Sequence, residues 1–292
     1  MGTNIVIYLI LYPLSFLPMP VLYGIARIIR FFLYTLFRYR IKTVKNNLKN
    51  SFPTASKNSL LKMEKEYYSH LCNLFVEGIK MLSFSKKEIM KRYRCKNPKL
   101  VNDFFDQNKS VILLSSHYNN WEWMVLSLTM QFKHHGIGVG KENTNKSFEK
   151  TINRFRTRYG TEVIFAKTIR DVIEEYDEQN KLSAYMMLCD QTPANVNKSF
   201  ILDFLNQKTD MIYGGEYFAR KYNYPVLYYV TKQIKKGYYE IELELISDNP
   251  SQTAYGDIIK EYVQRLERDI INQPVYWLWS HNRWKHKTNL LN

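Results

Sequence analysis

Residues 111 to 128, VILLSSHYNNWEWMVLSL, change from one hydrophobic period to another within a few positions, and that change fixes the layering of the chain around them. Val111 to Leu114 form the short apolar run of a buried strand, whereas Trp121, Met124, Val125 and Leu128 recur at helical spacing. A strand feeding directly into a helix predicts an α/β layout, with the helix covering the sheet that holds the strand. The turn between them carries His117. Five positions along a regular helix turn two side chains about 140° apart, so His117 and Glu122 share no face if both are helical. With His117 still in the turn and Asn119 or Asn120 as N-cap, the imidazole can fold back towards Glu122, a carboxylate favoured in a first helical turn. A neutral imidazole needs one nitrogen held by an acceptor so that the other can take a proton from a hydroxyl. The spacing therefore offers His117 as a base with Glu122 as its acceptor. An ordinary polar strand-to-helix turn would carry the same residues.

Beyond this segment, Leu182 to Leu188 read as another buried strand, followed at once by Asp190 and Gln191, at the end where open α/β sheets gather functional groups. Asp190 can order an arginine, position an acceptor substrate, or simply cap the turn at Thr192-Pro193. Residues 147 to 159 form an amphipathic helix with Phe148, Ile152, Phe155 and Tyr159 on one stripe. Arg156 lies within about 80° of that stripe, while Arg154 and Arg158 fall farther round. Arg156 is thus the arginine placed to reach a cleft, where its planar fork suits a phosphate or a developing oxyanion. The alternative is a surface arginine whose stem packs on Phe155. Arg158, Lys167 and Arg170 stand next in line for a phosphate. PVLYYVTKQI and YYEIELELI, parted by Lys235-Lys236-Gly237, read as a hairpin, and residues 257 to 271 as a core helix. The closing YWLWSHNRWK carries His281 and Arg283, and its aromatic and basic mixture suits a structural or headgroup-zone role. Together these signals predict one mixed sheet flanked by helices.

The first charged side chain is Arg27, so residues 1 to 26 are long enough and apolar enough to span a bilayer. Pro13, Pro18 and Pro20 also fit a kinked, half-inserted anchor. Met-Gly-Thr-Asn lacks the basic start of a signal peptide, and the sixth residue, Val6, is not the Ser or Thr of a myristoylation signal. Seven Lys and Arg follow from Arg27 to Lys49 without an acid, which predicts a cytoplasmic body. FFLYTLF, residues 31 to 37, is expected to form a second helix on the membrane surface. We accordingly expect an anchor with basic flank at 1–42 and a catalytic domain at 43–292. The net charge of +15 admits nucleic acid, but no helix-turn-helix, zinc-finger or RNP signature is present, so anionic lipid is the favoured partner. Cys72, Cys95 and Cys189 are isolated, arguing against zinc, disulfides and an oxidising compartment. No G-x-S-x-G elbow is present to support a serine hydrolase.

HYNNWE resembles the HFGNWE-type block of the bacterial late lipid A acyltransferases, a branch of the lysophospholipid acyltransferase superfamily that uses an H-x4-D/E motif. RTRYG at 156–160, CDQTP at 189–193 and PVYWLWSHNRWK at 274–285 are similar to further blocks of that family, in the same order. Tyr118-Asn119 stands where Phe-Gly is usual, and Trp284 where Phe is. The resemblance implies an α/β acyltransferase without a cofactor, in which His117 with Glu122 serves catalysis and Arg156, with Asp190 and Arg158, binds substrate. The donor would be acyl carrier protein or acyl-CoA, and the acceptor a phosphorylated, Kdo-bearing lipid A precursor. The expected location is the inner membrane, with the domain facing the cytoplasm. A relative acting on another polar lipid, or a lipid-binding protein without chemistry, are the alternatives.

Overall fold

The computed structural model describes residues 5–193, 195 and 199–285. Residues 1–4, the start of the apolar leader, lie outside the described residues, as does the tail from 286. Among the described residues, nine strands form two sheets. They are β1 (Tyr93–Cys95), β2 (Val111–Ser115), β3 (His135–Gly140), β4 (Glu162–Phe165), β5 (Ser183–Leu188), β6 (Ser199–Phe204), β7 (Gln207–Ile212), β8 (Val226–Lys235) and β9 (Tyr238–Ser247). The main sheet has seven strands in the order β1-β9-β8-β2-β5-β3-β4; only β8 with β9 is antiparallel. β6 and β7 form a separate antiparallel hairpin.

Every residue of β2 is buried, because helices cover both faces of the sheet. Alternate side chains feed two cores. Ile112, Leu114, Tyr185 and Tyr228 pack on one side with Ile258, Tyr262 and Leu266 from the helix Asp257–Asn272. Val111, Leu113, Met186 and Tyr229 pack on the other with Trp123 and Leu126 from the helix Trp121–Gln131. The 25-residue helix Lys57–Met81 serves both, through Tyr67 and Tyr68 on one side and Cys72 and Val76 on the other.

The leader is helical at Ile7–Leu11 and Tyr12–Ser15, breaks before Pro18, and resumes as Met19–Arg30 with Pro20 in its first turn, where proline's missing N–H costs nothing. Phe31–Leu36 continues that helix with wider turns instead of starting a second one, since no breaker falls between Arg30 and Phe31. Met19–Leu36 is long and apolar enough to cross a membrane, with mean hydropathy 1.3. Its inner face buries Met19, Leu22, Tyr23 and Ala26 in the core beside Cys72 and Val76. Its outer face exposes Val21, Ile28, Phe31, Phe32 and Leu36. An α/β body carrying such a helix fits a membrane anchor that also belongs to the core.

Candidate active site

β2 and β5 are parallel neighbours, and Ser115 is in register with Leu188. His117 and Asp190 each lie two residues beyond that pair, so the two chains deliver them side by side. Asp190 Oδ1 lies 2.8 Å from His117 Nδ1, and its Oδ2 accepts from the His117 backbone N–H at 3.0 Å and from Trp277 Nε1 at 2.9 Å. The acid is 2 % exposed. Burial alone would raise its pKa, but the field of His117 and the hydrogen bonds from His117 and Trp277 hold it below the ordinary aspartate value. An ionised Asp190 fixes the proton on Nδ1 and leaves Nε2 as the basic nitrogen. The Gln191 amide nitrogen, 3.1 Å from that Nε2, donates to it in this tautomer.

Glu122 is therefore not the acceptor for His117; no hydrogen bond joins the two among the described residues. The turn explains why. Asn119 takes a left-handed conformation, φ 57°, donating its N–H to Tyr276 O and its Nδ2 to Thr231 O. Asn120 is the N-cap, its Oδ1 accepting from Trp123 N at 3.0 Å. The imidazole points back towards β5 while Glu122 starts the helix on the other side. There Arg156, at the end of the helix Lys146–Arg156, meets Glu122 in a bidentate pair, Nε to Oε2 at 2.8 Å and Nη2 to Oε1 at 2.6 Å. Arg156 also donates to Asn153 Oδ1 at 3.2 Å.

Asp190, expected to order an arginine, an acceptor or the next turn, instead holds the histidine. Arg158 donates to the carbonyls of Met81 and Phe84, both at 2.7 Å, and so closes the end of the long helix instead of facing the site. Lys167 pairs with Glu142, and Arg170 reaches Tyr217 Oη at 3.2 Å.

The C-terminal run is not a headgroup belt. Trp277 and Trp279 are buried, because the run threads between the β6/β7 hairpin and the helix Ile41–Ser51. Asn47 Nδ2 holds the carbonyls of Trp279 and His281, and Arg283 Nη2 donates to Asp210 O. His281 Nε2 accepts from Thr192 N at 3.2 Å; burial pushes this imidazole down to about 4, so it is neutral. Gln191 was noted beside Asp190 but without a role, and Trp277, within the C-terminal run singled out above, was not read as a partner of Asp190.

A cavity of about 580 Å³ opens beside the turn. Leu33, Leu71, Phe75, Ile79, Phe148 and Ile152 line its apolar length, and Asn119, Asn120, Glu122 and Arg156 form its polar end. Its size falls within the roughly 300–1,000 Å³ of small-ligand pockets. Such a cavity can seat a long apolar chain, and its polar end is built from the turn that also carries His117.

A family model described as bacterial lipid A biosynthesis acyltransferase matches residues 2–286. A search of curated proteins returns no match.

Proposed function

The chain belongs to the bacterial lipid A biosynthesis acyltransferases, and from that premise we propose that it carries out a late acylation, moving a fatty acyl chain from an acyl thioester to a hydroxyl of a lipid A precursor. The observation that carries the reading is the Asp190-held His117, in a turn whose following residues, Asn119 to Glu122, line the polar end of an apolar cavity.

The acceptor hydroxyl displaces the Gln191 amide and gives its proton to His117 Nε2. Its oxygen attacks the thioester carbonyl carbon; the carbon–sulfur bond then breaks, and the leaving thiolate takes the proton from the imidazolium. An ester and a free thiol result, with no covalent enzyme intermediate. Buried Asp190 stabilises the imidazolium during the attack. The donor's chain occupies the cavity, where each buried methylene contributes about 0.8 kcal/mol. Glu122 and Arg156 stand at its mouth, and the guanidinium N–H groups not directed at Glu122 and Asn153 are suited to a phosphate oxygen of the acceptor. The donor is acyl carrier protein, whose acidic surface a chain of net charge +15 suits, or acyl-CoA.

The outer face of Met19–Leu36 and the basic flank hold the body on the cytoplasmic side of the inner membrane. Detergent, not high salt, is then expected to release the protein, since salt screens ionic contacts but leaves apolar burial intact. Mass spectrometry of total lipids from a deletion strain tests the function: a lipid A species short of one acyl chain is expected. Unchanged lipid A with a different polar lipid missing would overturn the acceptor assignment.

A further inference from the structure

Glu77 sits in the long helix Lys57–Met81 with no exposed surface, and its carboxyl oxygens gather three elements distant in sequence. Oε1 accepts from Tyr23 Oη of the apolar N-terminal helix at 2.6 Å. Oε2 accepts from Tyr239 Oη of β9 and from Asn120 Nδ2, both at 2.7 Å. Asn120 is also the N-cap that fixes the turn three residues after His117, and Trp123 Nε1 adds a bond to the Glu77 carbonyl at 2.9 Å. A buried carboxyl is costly unless its oxygens are satisfied, and here the satisfaction comes from the anchor helix and the active-site turn together.

We propose that Glu77 is a positioning residue that couples the seating of the N-terminal helix to the geometry of the turn carrying His117. When Tyr23 is docked, both carboxyl oxygens are fixed and Asn120 is held in its capping pose. When the helix lifts, Glu77 is left without the partner on Oε1 and can turn away from Asn120. An enzyme so wired has its base in register only with its membrane helix in place. The turnover part of this inference rests on His117 acting as proposed above; the structural part does not.

The helix offers its own control. Tyr34 Oη donates to the buried Glu64 Oε1 at 3.0 Å, a second tyrosine–glutamate bond between the same two helices that leads nowhere near the turn. Full-length protein in phosphatidylglycerol-containing bilayer discs is compared as wild type, Tyr23→Phe and Tyr34→Phe by hydrogen–deuterium exchange, read over residues 116–123. Losing one hydrogen bond to a buried carboxyl group loosens what depends on it, so Tyr23→Phe is expected to speed exchange there about 3- to 10-fold, and Tyr34→Phe not at all. In acyl transfer from acyl–acyl carrier protein, Tyr23→Phe is expected to lower kcat by a similar factor with KM for the thioester unchanged. Glu77→Gln should exceed Tyr23→Phe in both readouts; should it fail to fold, Tyr23→Phe, which removes a single oxygen, carries the test. Wild-type exchange at 116–123 in Tyr23→Phe, or equal acceleration by Tyr34→Phe, would overturn the coupling. A fully active His117→Ala protein with the exchange pattern intact would instead overturn the chemistry and leave the coupling standing.

Discussion

Two carboxylates flank the turn after β2, and they are held in opposite ways. Asp190 is buried and receives hydrogen bonds from the His117 ring, the His117 backbone and Trp277. Glu122 keeps about a quarter of its side chain exposed, at 26 %, and spends both oxygens on Arg156. The first arrangement fixes a tautomer; the second forms part of the cavity's polar end. A carboxylate near a histidine in sequence is thus no guide to which carboxylate orients it. In this molecule the nearer one, five residues on, faces the cavity, and the one 73 residues on holds the ring.

The largest effects are expected at the buried end. His117→Ala is expected to cut kcat about 10²- to 10⁴-fold without unfolding the protein, because it removes the proposed general base. Asp190→Asn is expected to approach that loss, since an amide N–H facing Nδ1 forces the proton onto Nε2 and silences the base. Near-normal turnover in either folded variant would break the comparison. At the cavity end Glu122→Gln removes one side of a bidentate ion pair that is about a quarter exposed, and a rise in acceptor KM of about three- to tenfold is expected. Arg156→Lys loses the bidentate fork and should likewise act chiefly on KM. Equal loss of kcat from Glu122→Gln and Asp190→Asn would erase the distinction between the two acids.

The smallest expected effect sharpens the cavity side. Gly78 lies inside the long helix, where glycine costs about 1 kcal/mol relative to alanine, yet a Cβ there would meet nothing within 4 Å. It lines the cavity, so its missing side chain leaves room for ligand. Gly78→Leu is expected to shift the preferred acyl chain shorter by about two or three methylenes, a few-fold change in selectivity per methylene. Mass spectrometry of products from mixed donors reads this directly; an unchanged chain distribution would place the acyl chain elsewhere.

Hydrophobic period alone made β2, β5, the β8/β9 hairpin and the helices near 147–159 and 257–271 legible, because β2 and β5 are apolar runs covered on both faces and each helix carries one apolar stripe. The β6/β7 hairpin was not. It turns through Leu205-Asn206, both with positive φ, without the glycine that usually marks such a turn. The pairing of His117 with Asp190 was hidden for a different reason: it depends on β2 and β5 being parallel neighbours in one register, which no local pattern encodes. Trp277 and Trp279 looked interfacial because buried and headgroup-facing tryptophans share one composition. Asn119 is the reverse case. Its departure from the glycine usual in the resembling block costs little, since asparagine tolerates the left-handed φ of 57° that the turn demands.

Asp190, not Glu122, sets the tautomer of His117. The imidazole nitrogen NMR spectrum tests this, with the His117 signals assigned among six histidines by their loss in His117→Ala. At a pH where the ring is neutral, the proton is expected on Nδ1 in wild type and in Glu122→Gln, and on Nε2 in Asp190→Asn. A tautomer that follows Glu122→Gln and ignores Asp190→Asn would contradict it.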